Sequence, residues 1–520
     1  MEMKSYSVPF LSIVKHSFSW VIFEMLLKAI WNVKSEKHRG FLRLLSRHLS
    51  VSSRTVIDKA TKDGEVRVFI VSGEVSGDTI ASRLMASLKK LSPLPIRFSG
   101  VGGSLMAKQG LTSLFPIEDI SVMGIWELLP HINKLRAKLK DTIEAALVFK
   151  PHVVVTVDNK GFSFRLLKKL RVRYNQLNLD GPVHFHYVAP SFWAWKGGEA
   201  RLKGLTEFVD HVLCILPFEE GVCRANGLGA TFVGHPIVED VMELKDRNTS
   251  PCKWKIEGKS EDFKEKNAIP AGATVVSLLP GSRLQEVTRM LTIFRNTMDL
   301  LKESFPELVT VIHVACNRHV ESYIDGVVSK WPVPAILVPG GSHHLKYDAL
   351  SASKVSLCTS GTVAVEMQLA QVPSVVAYRA HFLTEWFIRY KAKICYVSLP
   401  NILMDSAIIP EALFHSCTHT KLATLLTIAL LTMFMPYNYF NECSDPSFLA
   451  GSLGFDLLCD LINNDHLQEE QIAAAEKVIR LLLPPEETMS NMGQQDLRLS
   501  FPIQSPSMLA AFLILYHEKP

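Results

Sequence analysis

The sequence predicts an α/β chain of two parallel-sheet halves facing each other across a cleft. Three observations carry that expectation. Short apolar runs alternate with helical patterns along most of the chain, as parallel strands covered on both faces require. Two of these runs open alike: VRVFIV at 66–71 leads into SGEVSGD, and TVVSLL at 274–279 leads into PGSR. A helical pattern follows each, marked by Ile80, Leu84 and Leu88 in the first case and starting near Glu286 in the second. Finally, 520 residues with 48% apolar content suit two to four globular domains rather than a disordered or fibrous chain. Tandem sheets of this kind leave a crevice at their strand ends, where ligands bind.

Taken in order, residues 1–60 read as a targeting segment. Arg39, Arg43 and Arg47 recur every fourth position, Leu42, Leu45 and Leu49 form a second stripe, and serines follow. A basic, serine-rich amphipathic stretch poor in acids fits an organelle transit peptide, although a solvated surface helix would look similar. This segment holds ten Lys/Arg against four acids, so the remaining 460 residues carry 46 basic and 47 acidic groups. Such a neutral body does not bind nucleic acid by bulk electrostatics. The apolar residues 6–31 are interrupted by Lys15, Glu24 and Lys28 and fall short of a clean membrane span.

The first sheet domain is expected over 64–237, with further strands at His152–Val157, Val183–Val188 and His211–Leu216. A linker is expected over 238–270, rich in Lys and Glu from 243 to 268. The second sheet domain follows over 271–434. Its strands are expected at Val309–Ala315, Ala335–Pro339, Lys354–Cys358 and Ser374–Tyr378, and Leu422–Met435 reads as a buried helix. Residues 435–520 read as a helical extension without recognisable chemistry. The nine cysteines contain no Cys-x-x-Cys pair and no zinc-ligand spacing, which suits a reducing compartment.

Several chemistries fail on spacing. In Gly73-Glu-Val-Ser76-Gly77 the serine stands one position too late for a nucleophile elbow. Gly100-Val-Gly102-Gly103 has Leu105 where a dinucleotide fingerprint needs its third glycine. No Walker A loop occurs, and His343-His344 and His184-x-His186 lack partner ligands at fitting intervals.

What remains suits phosphate and sugar. Cys358-Thr359-Ser360-Gly361-Thr362 forms a small-residue turn between a strand and a helix, where free N–H groups attract a diphosphate. Glu366 lies four residues beyond Thr362, off the capping-box spacing, and so is expected to accept from ribose hydroxyls. An ordinary strand–helix turn with a surface glutamate carries the same letters. Pro280-Gly281-Ser282-Arg283 adds a forked cation suited to phosphate. Asp158 ends the apolar strand Val153–Val157 and would point into the crevice as a base, unless it merely caps the turn Asn159-Lys160-Gly161. Met123, Ile125, Trp126, Leu128 and Leu129 precede a basic helical stretch. That pattern suits a membrane surface or an acyl pocket, and equally core packing beside a solvated face.

These motifs in this order resemble lipid-A-disaccharide synthases, inverting glycosyltransferases of the two-domain GT-B fold. The matching stretches include SGEVSGD (72–78), SVMGIWELLPHI (121–132), YVAPSFWAW (187–195), LPFE (216–219), FVGHP (232–236), LLPGSRLQEV (278–287), SGTVAVE (360–366) and YVSLPN (396–401). The resemblance implies transfer of 2,3-diacylglucosamine from UDP to 2,3-diacylglucosamine 1-phosphate, giving a β-1′,6-linked disaccharide 1-phosphate. It implies no cofactor or metal, and Asp158 as the base for the acceptor 6-hydroxyl. Glu74, Ser76, Arg283 and Asn401 then fall at substrate positions, as do Ser360, Gly361, Thr362 and Glu366. Where the family usually has a second acid three residues after the catalytic one, this chain has Gly161. The extension at 1–60 implies an organellar, mitochondrial form, associated with the matrix side of a membrane through residues 121–140, and a homodimer is left open. A UDP-sugar 2-epimerase or a non-catalytic binder of nucleotide sugar or lipid are the competing readings.

Overall fold

The computed structural model describes residues 55–121, 132–244, 254–359, 361–431, 467–485 and 505–518. Two parallel six-stranded sheets organise them. The first contains β1 (Val66–Ser72), β2 (Ile96–Val101), β3 (Val153–Val157), β4 (Val183–Tyr187), β5 (His211–Cys214) and β6 (Ala230–Phe232), in the order β2-β1-β3-β4-β5-β6. The second contains β7 (Thr274–Leu279), β8 (Leu308–His313), β9 (Ala335–Val338), β10 (Val355–Cys358), β11 (Ser374–Tyr378) and β12 (Glu411–Leu413), in the order β12-β11-β10-β7-β8-β9.

The central strands are β-branched and apolar because both of their faces are covered. Every residue of β3 (VVVTV) and of β7 (TVVSLL) is buried. One face of the first sheet packs Phe69 and Val154 against Leu166, Leu167 and Leu170 of the helix Lys160–Gln176. The other face packs Val68, Ile70 and Val155 with Leu84, Met85 and Leu88 of the helix Val75–Leu91. That core continues without a break into Cys358, Val365 and Leu369 of the second half. On the far side of the second sheet, Leu278 and Leu357 meet Met290 and Phe294 of the helix Leu284–Ser304 and Leu426 and Leu430 of His419–Leu431.

The expected linker is tied down where it is described. Asp240, almost wholly buried, pairs with Arg83 of the first half and accepts the Tyr347 hydroxyl of the second at 2.9 Å. Burial would raise the Asp240 pKa, but His343 and Arg83 outweigh it and hold the carboxyl well below its usual range. Farther on, Ile256 is buried and its N–H donates to Leu369 O at 2.8 Å.

Beyond residue 435 the described helices join the core that runs through both halves. Leu467–Leu482 lays Ala475, Val478, Ile479 and Leu482 inward, and Gln471 Oε1 accepts the Ser374 N–H at 2.9 Å. Pro506–Leu515 is apolar all round and packs against Val75–Leu91 of the first half. Its first turn is anchored by Ser505, whose side chain accepts from Met508 N, and by Glu239, which accepts the Ser507 N–H at 2.6 Å. Among the described residues no helix is long and apolar enough to cross a membrane.

Candidate active site at the two switch points

Strand order locates the site before any side chain is considered. The first sheet grows from β1 to β2 on one side and resumes with β3 on the other, so its direction switches between β1 and β3. The second switches between β7 and β10. In open parallel sheets the loops leaving two such strands diverge and leave a crevice. Ser72 pairs in register with Val157, so Gly73-Glu74 and Asp158 leave the first sheet side by side. Cys358 pairs with Leu279, so the PGSR turn and Thr359 leave the second sheet together.

Asp158 and Asn159 are consecutive residues in the left-handed region, with φ of 53° and 40°. Two non-glycine residues there are a local strain that the surroundings hold in place. The Asp158 N–H donates to Tyr187 O at 3.0 Å, and the Ser163 hydroxyl donates to Asp158 O at 2.8 Å. Asn159 Oδ1 accepts the Phe162 N–H at 3.3 Å, while Nδ2 donates to Ile120 O at 3.0 Å. Gly73 is needed beside it: a Cβ there would lie 2.1 Å from Asn159 Nδ2. Asp158 therefore sits on a turn whose backbone is fixed from both sides. The alternative reading, Asp158 as cap, fails, because Asn159 does the capping.

Across the gap, Arg283 of the second half makes an ion pair with Glu74 of the first. Burial raises the Glu74 pKa to about 7, Asp158 adds to the rise, and Arg283 opposes it. Burial also raises Asp158, while the Asn159 N–H and then Arg283 and Lys160 pull it down. For Arg283 the burial penalty is outweighed by Glu74, Glu286 and Asp158, so it stays protonated. Two carboxyls and one guanidinium from opposite halves thus share one electrostatic environment. Such a group can take a proton from a hydroxyl while a fixed cation holds negative charge on a departing group.

Gly361 and Thr362 stand at the end of β10, Gly361 at φ 124° with open space where a Cβ would be. Thr362 makes no side-chain cap to the helix Val363–Ala370, which leaves that turn open to an anion. Ser76 lies half-buried in the first turn of Val75–Leu91. Glu366 is engaged rather than unpartnered, accepting Lys346 Nζ at 2.9 Å. Asn401 is fully buried, donating to Ile409 O at 2.8 Å and Glu411 Oε1 at 3.0 Å and accepting the Ile409 N–H at 2.9 Å. Its amide is spent on the loop before β12, and the structure does not bring it to the Asp158–Arg283 group. Ser360, Met123, Ile125, Trp126, Leu128 and Leu129 lie outside the described residues.

Some residues at the site carried no sequence signal of their own. Glu286 accepts the Ser282 and Arg283 N–H groups, and a Cβ on Gly281 (φ 116°) would lie 2.4 Å from its Oε2. The PGSR turn and its downstream acid are one unit. Other motif residues are scaffolding. Asp78 accepts the N–H groups of Gly103, Leu105 and Met106 at 2.8–3.1 Å. Glu219 of LPFE accepts Trp193 Nε1 and the Leu216 N–H, both at 3.1 Å, fixing the YVAPSFWAW loop to the helix Pro217–Ala225.

A family model described as lipid-A-disaccharide synthetase matches residues 68–435. A probable mitochondrial lipid-A-disaccharide synthase of Arabidopsis thaliana is 59% identical over 474 residues, covering 90% of this chain and 94% of that protein. The lipid-A-disaccharide synthase of Rhodospirillum centenum is 40% identical over 356 residues, 68% of this chain and 83% of that one. Among solved structures, a UDP-GlcNAc 2-epimerase from Neisseria meningitidis bound to UDP-GlcNAc superposes with a TM-score of 0.47 at 12% identity, over 80% of this chain and 98% of that one. A likeness of that size carries nothing about the reaction.

Proposed function

The chain belongs to the lipid-A-disaccharide synthase family, and from that premise we propose that it joins UDP-2,3-diacylglucosamine to 2,3-diacylglucosamine 1-phosphate with inversion at the donor anomeric carbon. The observation that carries the reading is the grouping of Asp158 with Glu74 and Arg283 across the two halves.

In this reading the acceptor lies against the first half, its 6-hydroxyl at Asp158. Asp158 takes the hydroxyl proton as the oxygen attacks the donor anomeric carbon. The bond to the UDP oxygen breaks on the opposite face, and the leaving diphosphate takes up the electron pair. Arg283 exchanges its bond to Glu74 for one to that diphosphate, joined by the N–H groups of the Gly361–Thr362 turn. Burial favours this chemistry, because a carboxylate held above its ordinary pKa is a stronger base. Glu366 and Lys346 are read as a pair that positions the UDP ribose, and Asn401 as a support of the loop behind it.

The test is direct. Purified full-length protein incubated with both substrates should release UDP and disaccharide 1-phosphate in equal amounts, and no product would overturn the assignment. Production of the 2-epimer of the sugar nucleotide would favour the epimerase reading instead.

The acylated substrates also suggest peripheral contact with a membrane. On the helix Phe382–Lys391, Phe382, Trp386 and Tyr390 are 69%, 68% and 63% exposed at four-residue spacing, with Arg389, Lys391 and Lys393 beside them. An aromatic face among basic residues suits an anionic lipid surface. Sedimentation with anionic vesicles should weaken in Phe382→Ser/Trp386→Ser, and again in Trp126→Ala/Leu128→Ala if 121–140 contributes. A mitochondrial destination is supported by the name of the Arabidopsis relative. Residues 1–60 fused to a fluorescent protein would test it.

A further inference from the structure

Two cations to which the reaction above gives no role meet at the Phe192 ring. Lys160 opens the helix Lys160–Gln176, two residues beyond Asp158, and its Nζ stands 5.4 Å from the centre of the Phe192 ring. The Arg201 guanidinium, from the short helix Ala200–Lys203, stands 5.8 Å from the same centre. Neither side chain is ion-paired among the described residues. The acids that act on Lys160 are Asp158 and Glu74, of which Glu74 is ion-paired with Arg283, and Glu199, two residues before Arg201, is engaged with Lys393 at 3.0 Å. Position 161, where the resemblance leads one to expect an acid, holds glycine. Burial holds the Lys160 ammonium below the ordinary lysine range, Asp158 pulls it back up, and Arg201 pushes it down again.

We propose that Lys160 and Arg201, gathered around Phe192, form a subsite for a phosphate monoester, which the acceptor sugar presents at its anomeric carbon. This rests on the glycosyl transfer proposed above and names the part of the acceptor that the first half grips. Cation–ring contact alone is worth only about 0.5–1 kcal/mol at exposed positions, so two like charges brought to one ring gain more from an anion held between them than from the ring itself. A forked guanidinium and a point ammonium are complementary ways to hold a dianion. The subsite and the base then address opposite ends of one sugar: the cations hold the phosphate at the anomeric carbon, and Asp158 meets the 6-hydroxyl. That placement orients the acceptor and rejects sugars lacking the phosphate. Gly161 takes no charge away from it, which gives the missing acid a consequence.

The experiment measures steady-state kinetics of wild type, Lys160→Ala, Arg201→Ala and the double variant. Two acceptors are used, 2,3-diacylglucosamine with and without its 1-phosphate. The single variants should raise KM for the phosphorylated acceptor about tenfold or more, the scale of one charged hydrogen bond. Donor KM should not move, and the loss on removing the phosphate should shrink in the double variant. Lys160→Arg should retain much of the wild-type value. A rise in donor KM instead would assign the cations to the UDP diphosphate and overturn the proposal, as would an unchanged acceptor KM. Wild type that forms no disaccharide would sink the transfer reading alone. Calorimetric titration of the phosphorylated acceptor into wild type and the double variant then decides the subsite by itself, with equal binding ruling it out.

Discussion

Replacing Asp158 by Asn isolates one proton acceptor in a site otherwise left standing. Asparagine is among the few residues that accept the left-handed backbone found there. The contacts fixing that turn, Asp158 N–H to Tyr187 O and Ser163 Oγ to Asp158 O, are made by main-chain atoms of residue 158 and survive the exchange. What is lost is general-base catalysis, about 10²–10⁴-fold in kcat, or about 2.7–5.5 kcal/mol of barrier. A second effect follows from the charge. Asp158 helps raise Glu74 to about 7, so its neutralisation should move the Glu74 titration toward lower pH. UDP release measured between pH 5 and 9, beside a thermal melt, reads both. A variant that keeps more than a tenth of wild-type kcat with an unaltered melt would refute Asp158 as the base. If Glu74→Gln then produced the large loss, the base would be Glu74.

Three other perturbations probe the frame around the site. Glu219, buried at the YVAPSFWAW loop, has a folded pKa of about 7 against an ordinary 4.5. The unfolded chain ionises first as pH rises through that window, so Glu219 should cost about 3 kcal/mol of stability between pH 4.5 and 8. Glu219→Gln should remove that slope from the pH dependence of denaturant unfolding, and parallel curves for the two proteins would contradict it. Asp240→Ala takes the buried carboxylate from Arg83, which keeps only Pro236 O and the half-exposed Glu243, and leaves the Tyr347 hydroxyl without its acceptor; a loss of about 3–5 kcal/mol is expected. A loss below about 1 kcal/mol would mean that the pair is solvated. Gly73→Ala forces a methyl group to within 2.1 Å of Asn159 Nδ2. It should lower kcat at least tenfold through displacement of Asp158, the scale expected for a misplaced catalytic group, and an unaffected kcat would show the turn to be compliant.

The central strands were legible because a strand buried on both faces must be apolar throughout. TVVSLL at 274–279 and the run at 374–378 were read to the residue. β2 escaped because Arg97, Ser99 and Gly100 break its apolar run. β6 and β12 are three residues long, too short for a pattern. Asp158 is singled out by its place at a strand end and Arg283 by its Gly-bearing turn. Glu366 was expected unpartnered because sequence separation hid Lys346, twenty residues upstream. The interior place of Asn401 and the pairing of Glu74 with Arg283 depend on tertiary contacts between distant segments. No spacing along the chain encodes them.

The helix Pro506–Leu515 has a consequence for how the molecule comes into being. Its partner, Val75–Leu91, is synthesised more than 400 residues earlier. At roughly 5–20 residues per second, translation leaves the greasy side of that earlier helix uncovered for about 20–80 s. During that interval it is a place where a chaperone can bind and where nascent chains can stick together. Docking of Pro506–Leu515, rather than emergence of the first half, is then the moment at which the nascent protein becomes self-sufficient.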